Sequence, residues 1–143
     1  MIGSRQRTVL DTGPIVALLS RGDQYQRWAR EEFERLAPPV FTCEAVLSEA
    51  QLLVHHRGGN PVAVLEMVRR GMLNVAFDLE DHVERLVELQ RTYANVPMSL
   101  ADACLVRMTE LPGPSRVMTI DSDFRIFRRN RRQLIPLLAP PGV

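Results

Sequence analysis

Short apolar or β-branched runs that alternate with longer amphipathic stretches leave this chain few architectures. Arg7–Leu10 ends at Asp11 and is broken by Thr12-Gly13-Pro14. Val40–Phe41, Leu73–Phe77 and Arg116–Ile120 are further runs bounded by Pro, Gly or Asp, and all four predict buried strands. Between them the spacing predicts helices. Asp23 can cap one carrying Trp28, Phe33 and Leu36, and Thr42–His56 repeats apolar residues at Val46, Leu47, Ala50, Leu53 and Val54 before Gly58-Gly59. Asn60-Pro61 supplies an N-cap followed by proline at the first helical position, and Gly71 closes that helix. Asp78 opens Leu79–Tyr93, with Val83, Leu86, Val87 and Gln90 on one face, and Ser99 opens Leu100–Leu111. Strands alternating with helices predict an α/β fold: a central parallel β-sheet flanked by helices in three layers. The length of 143 residues suits one domain over 1–143. In such sheets ligands bind outside the carboxyl ends of the strands. That edge is where candidate chemistry is sought.

Composition removes several alternatives. All 18 basic side chains are arginine, and there is no lysine. A P-loop, a Schiff-base enzyme and a receiver-type phosphoacceptor domain each require one. A net charge of +1 argues against a chain that simply coats nucleic acid. The uncharged runs, such as Thr12–Ser20, fall far short of the roughly 20 apolar residues of a membrane span. Asp11 interrupts the only stretch that resembles a signal peptide. Cys43 and Cys104 lie in separate apolar helical patterns, which predicts two buried thiols in a reducing, cytoplasmic compartment.

Carboxylates occupy positions that packing alone explains poorly. Asp11 ends a strand, where Asp also serves as a helix N-cap or turn residue. Glu49 follows Val46 by three residues and precedes Leu53 by four, so the periodicity points it with the apolar stripe, where an unpaired carboxylate is costly. The alternative is a stripe edge from which the group reaches water. Asp102 completes a capping box with Ser99, yet shares its face with Leu105 and Val106. Asp121 and Asp123 follow Val117–Ile120 and fit an ordinary turn, with Asp123 able to cap a short helix over Phe124–Arg129. Together the acids are more telling than singly, because separate strand and helix ends bring them to one side of one sheet. Clustered carboxylates can be held together by a hard divalent cation, which favours Mg2+ or Mn2+ and one or two ions. Zinc is disfavoured: His55 and His56 are adjacent, so they do not share a helix face, and no His/Cys ligand spacing occurs. His82 is expected to be an exposed first-turn residue.

Val-Leu-Asp11-Thr-Gly-Pro-Ile-Val-Ala-Leu-Leu, Val-Leu-Ser-Glu49-Ala, Ser-Leu-Ala-Asp102-Ala-Cys-Leu-Val and Thr-Ile-Asp121-Ser-Asp-Phe resemble, in order and spacing, the four motifs of the PIN-domain family. The resemblance covers essentially the whole chain. It implies that Asp11, Glu49, Asp102 and Asp121 bind Mg2+ or Mn2+ and support RNA hydrolysis. It also implies that Thr12 and Thr119 flank the metal site and that Asp123 is an auxiliary acid. Small members of this size are often VapC-like toxins of type II toxin–antitoxin modules, which implies a protein antitoxin and a homodimer. Gln24 and Gln26 stand where many relatives carry His.

Arg125, Arg128, Arg129, Arg131 and Arg132 crowd the segment after the last motif, and from Arg116 onward the net charge is +4 against −3 before it. Such a run is a solvated charged stretch, a docking surface for an acidic partner, or an RNA-binding rim, arginine being suited to bidentate phosphate contact. The RNA reading is the one adopted here. Tyr25, Trp28 and Tyr93 are too scattered for a base-stacking platform and suit core or dimer packing. The function these features point to is a metal-dependent endoribonuclease that leaves a 5′-phosphate and a 3′-hydroxyl. The alternative is a non-catalytic PIN-like module that binds RNA or protein. A haloacid-dehalogenase-type phosphatase is excluded, because Gly13 stands where its second acid must be and its lysine is missing.

Overall fold

A computed structural model describes residues 6–143. The chain runs β1 (Arg7–Leu10), α1 (Thr12–Leu19), α2 (Gln26–Arg35), β2 (Val40–Phe41), α3 (Glu44–His56), α4 (Val62–Arg69) and β3 (Leu73–Asn74). After a 3-10 turn at Leu79–His82 come α5 (Val83–Thr92), α6 (Leu100–Glu110) and β4 (Ser115–Met118). A second 3-10 turn at Ser122–Arg125 leads to β5 (Arg128–Arg129), β6 (Gln133–Leu134) and β7 (Leu137–Leu138).

Five strands form one parallel sheet in the order β3-β2-β1-β4-β7. β1 is central and buried at Thr8, Val9 and Leu10, consistent with a strand covered on both faces. Its register with β4 pairs Arg7 with Ser115 and Leu10 with Met118. Parallel crossovers are right-handed. The chain steps from β1 to β2 to β3 in one direction, through α1–α4, and then crosses back beyond β1 to β4 through α5 and α6. The order therefore reverses between β1 and β4. Arg7 and Val9 line a cavity with Met108 and Leu111 at the end of α6, and Arg7 and Thr8 line another with Leu36 after α2.

The core joins both layers through Leu10, Ile15, Val46, Val54, Leu89, Leu105, Val106, Phe124 and Phe127. Tyr93 meets Phe127 edge-on at 5.2 Å, and Phe127 meets Phe124 at 5.4 Å. Tyr25 and Trp28 pack against the same core, as the sequence suggested.

Several local expectations change. Thr12-Gly13-Pro14 starts α1 instead of ending regular structure, because proline is tolerated in a first helical turn whose N–H groups have no intrahelical partner. Strand β3 stops at Asn74, whose Oδ1 accepts from the Ala76 N–H in a local turn. Strand β4 stops at Met118. The α2 N-cap position is Tyr25; Asp23 accepts from the Tyr25 N–H one turn earlier. The helix expected over Phe124–Arg129 is a 3-10 turn followed by the antiparallel β5–β6 hairpin. Its turn places Asn130 at φ 47 and Arg131 at φ 71, a left-handed conformation that ends any helical continuation. His82 is half-buried, stacked on Phe77 at 4.7 Å, with Nδ1 accepting from Arg107 Nε at 3.0 Å. Among the described residues, no helix is long and apolar enough to cross a membrane.

Candidate functional site

Strand order reverses between β1 and β4, the place where ligands bind at the carboxyl ends of such sheets, and the acidic segments gather at that edge. Asp11 follows β1, caps α1 and is buried. Its Oδ1 accepts from the Thr12 N–H at 2.7 Å, and its Oδ2 accepts from the Thr119 hydroxyl at 2.7 Å. Thr119 Oγ1 in turn accepts from the Asp121 N–H at 2.9 Å, and Asp121 Oδ1 accepts from the Asp123 N–H at 2.9 Å. From the other side, the Thr12 hydroxyl donates to Glu49 Oε2 at 3.0 Å. One line of hydrogen bonds thus links Glu49, Thr12, Asp11, Thr119, Asp121 and Asp123.

Gly13 tightens this arrangement. A Cβ there would lie 2.5 Å from Ile120 Cγ1, so only glycine lets the first turn of α1 close on the segment after β4.

Asp102 reaches the site from α6. The capping box is present: Asp102 N–H donates to Ser99 Oγ at 3.0 Å, and Asp102 Oδ2 accepts from the Ser99 N–H at 3.1 Å. The carboxylates also feel one another. Burial pushes the Asp11 carboxyl up to about 7; the Thr119 and Thr12 donors oppose this, and the charges of Asp102 and Asp121 add to it. Burial pushes Asp102 up to about 6, opposed by the Ser99 N–H and hydroxyl and reinforced by Asp121 and Glu49. A lone N-cap aspartate would be stabilised as the anion by its helix end. Here desolvation and like charge prevail.

Glu49 does not lie on the buried stripe. That stripe is Val46, Leu47, Ala50 and Val54, while Glu49 is exposed at its edge and is tied in by Thr12. The other expected acids and both threonines meet as described. Thr12 is the link that periodicity could not reveal, since it spans 37 positions to Glu49.

The arginines are arranged differently from a rim beside the acids. Arg131 pairs bidentately with Glu88 at 2.8 and 3.0 Å. The neighbouring Asn130 N–H donates to Glu110 Oε2 at 2.7 Å, at the end of α6 opposite Asp102. Eight residues of helix separate Asp102 from Glu110, roughly 12 Å along the axis. Arg128 Nη1 donates to the carbonyls of Arg125, Ile126 and Phe127, and its own N–H donates to the Tyr93 hydroxyl. Arg125 donates to the Val143 oxygen, Arg129 is half-buried and Arg132 is exposed. Of this charge, Arg131 ties the hairpin to α5, while the Asn130 N–H ties it to α6.

Among the described residues, no group of three or more His, Cys, Asp or Glu side chains is drawn in tightly enough to hold an ion as it stands. The donor chemistry nevertheless fits a hard divalent cation. Every candidate ligand is a carboxylate oxygen, and the repulsion that raises Asp11 and Asp102 is relieved by positive charge.

Thr119 offers a direct check on this arrangement. Thr119→Val removes the donor to Asp11 and the acceptor for the Asp121 N–H while keeping side-chain shape. The Asp11 carboxyl is expected to titrate higher in this variant, because Thr119 is the foremost donor opposing the effect of burial. Thr119→Ser should bring it back down, as read from carboxyl chemical shifts across pH.

Carboxylates gathered at the reversal point of a parallel sheet, with Asp11 buried and Asp102 half-buried, define an α/β protein with an acidic centre on its carboxyl edge. Residues 8–130 match the PIN domain family, and the chain belongs to it. Its fold is similar to that of Mycobacterium tuberculosis VapC20, described as a sarcin-ricin loop cleaving toxin. The TM-score is 0.75 at 23% identity, over 90% of this chain and 99% of that one. No curated protein sequence matches the chain significantly.

Proposed function

We propose that this protein is a divalent-cation-dependent endoribonuclease and the toxin of a toxin–antitoxin pair. The observation that carries the reading is the line of hydrogen bonds that gathers Glu49, Asp11, Asp121 and Asp123 at one edge of the sheet. Burial and neighbouring acids raise Asp11 and, on another element, Asp102, as expected of carboxyls crowded together without a cation. Such a group is poorly explained as structural support. RNA as substrate is supported by family membership and by the description of VapC20.

In this reading Asp11, Glu49, Asp102 and Asp121 hold one or two Mg2+ or Mn2+ ions, with Asp123 as an auxiliary acid. Such a cation would lower the pKa of the attacking water and neutralise charge on the phosphodiester. Thr119 holds Asp11 and the backbone of Asp121 in one orientation, and Thr12 brings the exposed Glu49 to the same edge. Asp11 would have to be ionised to hold the ion, so affinity should rise as pH climbs through about 7. The site residues imply no nucleophilic His and no 2′-OH activation, so water attacks phosphorus and the products carry a 5′-phosphate and a 3′-hydroxyl. Arg132, exposed on the hairpin, and Arg125, four residues after Asp121, are the arginines assigned to phosphate contact.

Exposed apolar side chains occur on two sets of elements: Leu52, Leu53, Val62 and Leu65 on α3 and α4, and Leu79, Val83, Val87 and Leu100 around α5 and the start of α6. They support an antitoxin surface and a homodimer surface, because exposed apolar patches mark association sites. A cytoplasmic setting follows from an RNA substrate.

Incubation with total RNA and either Mn2+, Mg2+ or a chelator, followed by end mapping, tests the reading. Cation-dependent cuts with 5′-phosphate ends are the expected result. Failure to cut, with no Mn2+ binding by calorimetry near neutral pH, would favour the non-catalytic binding module.

A further inference from the structure

The two edges of the sheet differ in charge. Acids gather at the carboxyl edge, whereas Arg7 and Arg116 stand at the amino ends of β1 and β4. Strand β1 is 4 residues long, so Arg7 and Asp11 are roughly 13 Å apart along it. A cavity of about 500 Å³ lies at the amino edge, lined by Gln6, Arg7, Thr8, Arg35, Arg116 and the apolar linker 36–39 between α2 and β2. Its lining holds three arginines and no acidic residue, in a chain of 18 arginines and 17 acids.

Arg116 is the most telling of the three. It is half-buried and has no ion pair among the described residues. Its register partner on β1 is Thr8, whose hydroxyl accepts from Arg116 Nε at 3.2 Å. That neutral contact uses one N–H group of the guanidinium and leaves its charge uncompensated. Arg7 is half-buried as well; its Nη2 donates to the Leu111 carbonyl at 3.1 Å. The buried Arg7 Nε has no hydrogen-bond partner among the described residues. Arg35 is the best compensated, donating to Glu32 at 2.9 Å and lying in the last turn of α2, where its charge offsets the helix dipole. The hairpin and α5 differ, since Arg131 and Arg85 each meet a carboxylate. Cations gathered without an acid repel one another, and partial burial weakens the screening that water provides. A bound anion relieves both.

We propose that this cavity is an anion site that takes a phosphate group, with Arg116 as its principal ligand and Arg35 contributing from α2. The planar guanidinium fork matches two oxygens of a phosphate. Leu36, Ala37, Pro38 and Pro39 give the cavity an apolar wall, on which the organic part of a phosphate ester can lie. The same chemistry is offered by a free nucleotide and by a strand of RNA. The site stands apart from the carboxylates and does not depend on how they are read.

The test titrates the protein, in the presence of a chelator, with inorganic phosphate, with AMP and with a short 5′-phosphorylated RNA. Arginine Nε–H resonances and calorimetry report binding. The Arg116 and Arg35 signals should shift with phosphate and AMP, and Arg116→Gln should weaken binding at least about tenfold. Arg116→Lys keeps the charge without the fork and should recover only part of the affinity. Arg35 is 69% exposed at its side chain, so Arg35→Gln keeps the fold and should still bind more weakly than the parent. Shifts with AMP but not with RNA identify a free phosphate ester as the ligand. Shifts with RNA that AMP reverses identify the strand. Unmoved Arg116 and Arg35 signals with every probe, or parental affinity in both glutamine variants, overturn the site. Because the chelator prevents cation-dependent cleavage, a protein that binds phosphate here but never cuts RNA overturns only the nuclease reading.

Discussion

Asp11→Asn is expected to abolish RNA cleavage while making the metal-free protein harder to unfold at mildly alkaline pH. The two effects share one cause. In the folded state the Asp11 carboxyl is raised from 3.8 to about 7, chiefly by burial, with Asp102 and Asp121 adding repulsion. An acid whose folded pKa lies above its unfolded value favours the fold fully below the unfolded pKa, and this contribution disappears as pH rises through the folded pKa. Between pH 3.8 and about 7 the loss amounts to about 4 kcal/mol. Asparagine removes the buried charge, keeps an oxygen to accept the Thr12 N–H, and presents its amide to Thr119 Oγ1. The melting temperature of the metal-free variant should therefore exceed that of the parent above neutral pH, by roughly 2–4 °C per kcal/mol recovered. Cleavage should fall at least about a hundredfold, the scale of a lost ligand to a charge-neutralising cation. Full activity would remove Asp11 from the catalytic set. Thermal melts with and without Mn2+ at two pH values read the stability half independently.

Arg85→Ala should cost the most stability of any change outside the core, about 3–5 kcal/mol, because it strands a buried carboxylate. Glu110 is only 2% exposed at its side chain and accepts from Arg85 Nε at 2.9 Å and Nη2 at 2.6 Å. Burial pushes the Glu110 carboxyl up. Arg85, the Asn130 N–H and Arg107 more than reverse that, leaving it below its ordinary value. Its contribution to stability is present above the unfolded pKa of 4.5 and is lost as pH falls through the lower folded value. The variant should therefore lose most of the parent's acid-dependent unfolding step along with its stability, as urea titrations across acidic pH would show. A loss under about 1 kcal/mol would mean that Arg107 and Asn130 alone compensate Glu110. Because Asn130 sits in the hairpin turn, the same substitution should loosen β5–β6, detectable as faster amide exchange at Arg128 and Arg129.

The elements that carry the acids were legible wherever a local rule produced them. Strand β1 announces itself by a β-branched run ending in Asp11, and α6 by the Ser99–Asp102 capping box, both of which the structure contains. Helix α1 was hidden because Gly13 and Pro14 read as breakers, although each is permitted in a first turn. The two residues of β7 lie between Pro136 and Ala139-Pro140 and carry no periodicity of their own; pairing with β4 makes them a strand. Within the site, each acid could be named from its motif, but its company could not. The exposure of Glu49 and its bond to Thr12 are set by packing between α1 and α3. The arginine run shows the reverse limit. Charge density was plain in the sequence, while the internal partners Glu88, Glu110 and Tyr93 come from segments 20–43 positions away.

The bond from Thr119 to Asp11 spans 108 positions, and it ties the time of synthesis to the appearance of chemistry. A growing polypeptide carries Asp11 for 108 positions before Thr119 is added. During that interval Asp11 lacks β4, Thr119 and Asp121, and with them the burial and the neighbouring charge that raise its pKa. The proposed nuclease is therefore silent until the segment after β4 has been made, while the chain is still held beside messenger and ribosomal RNA.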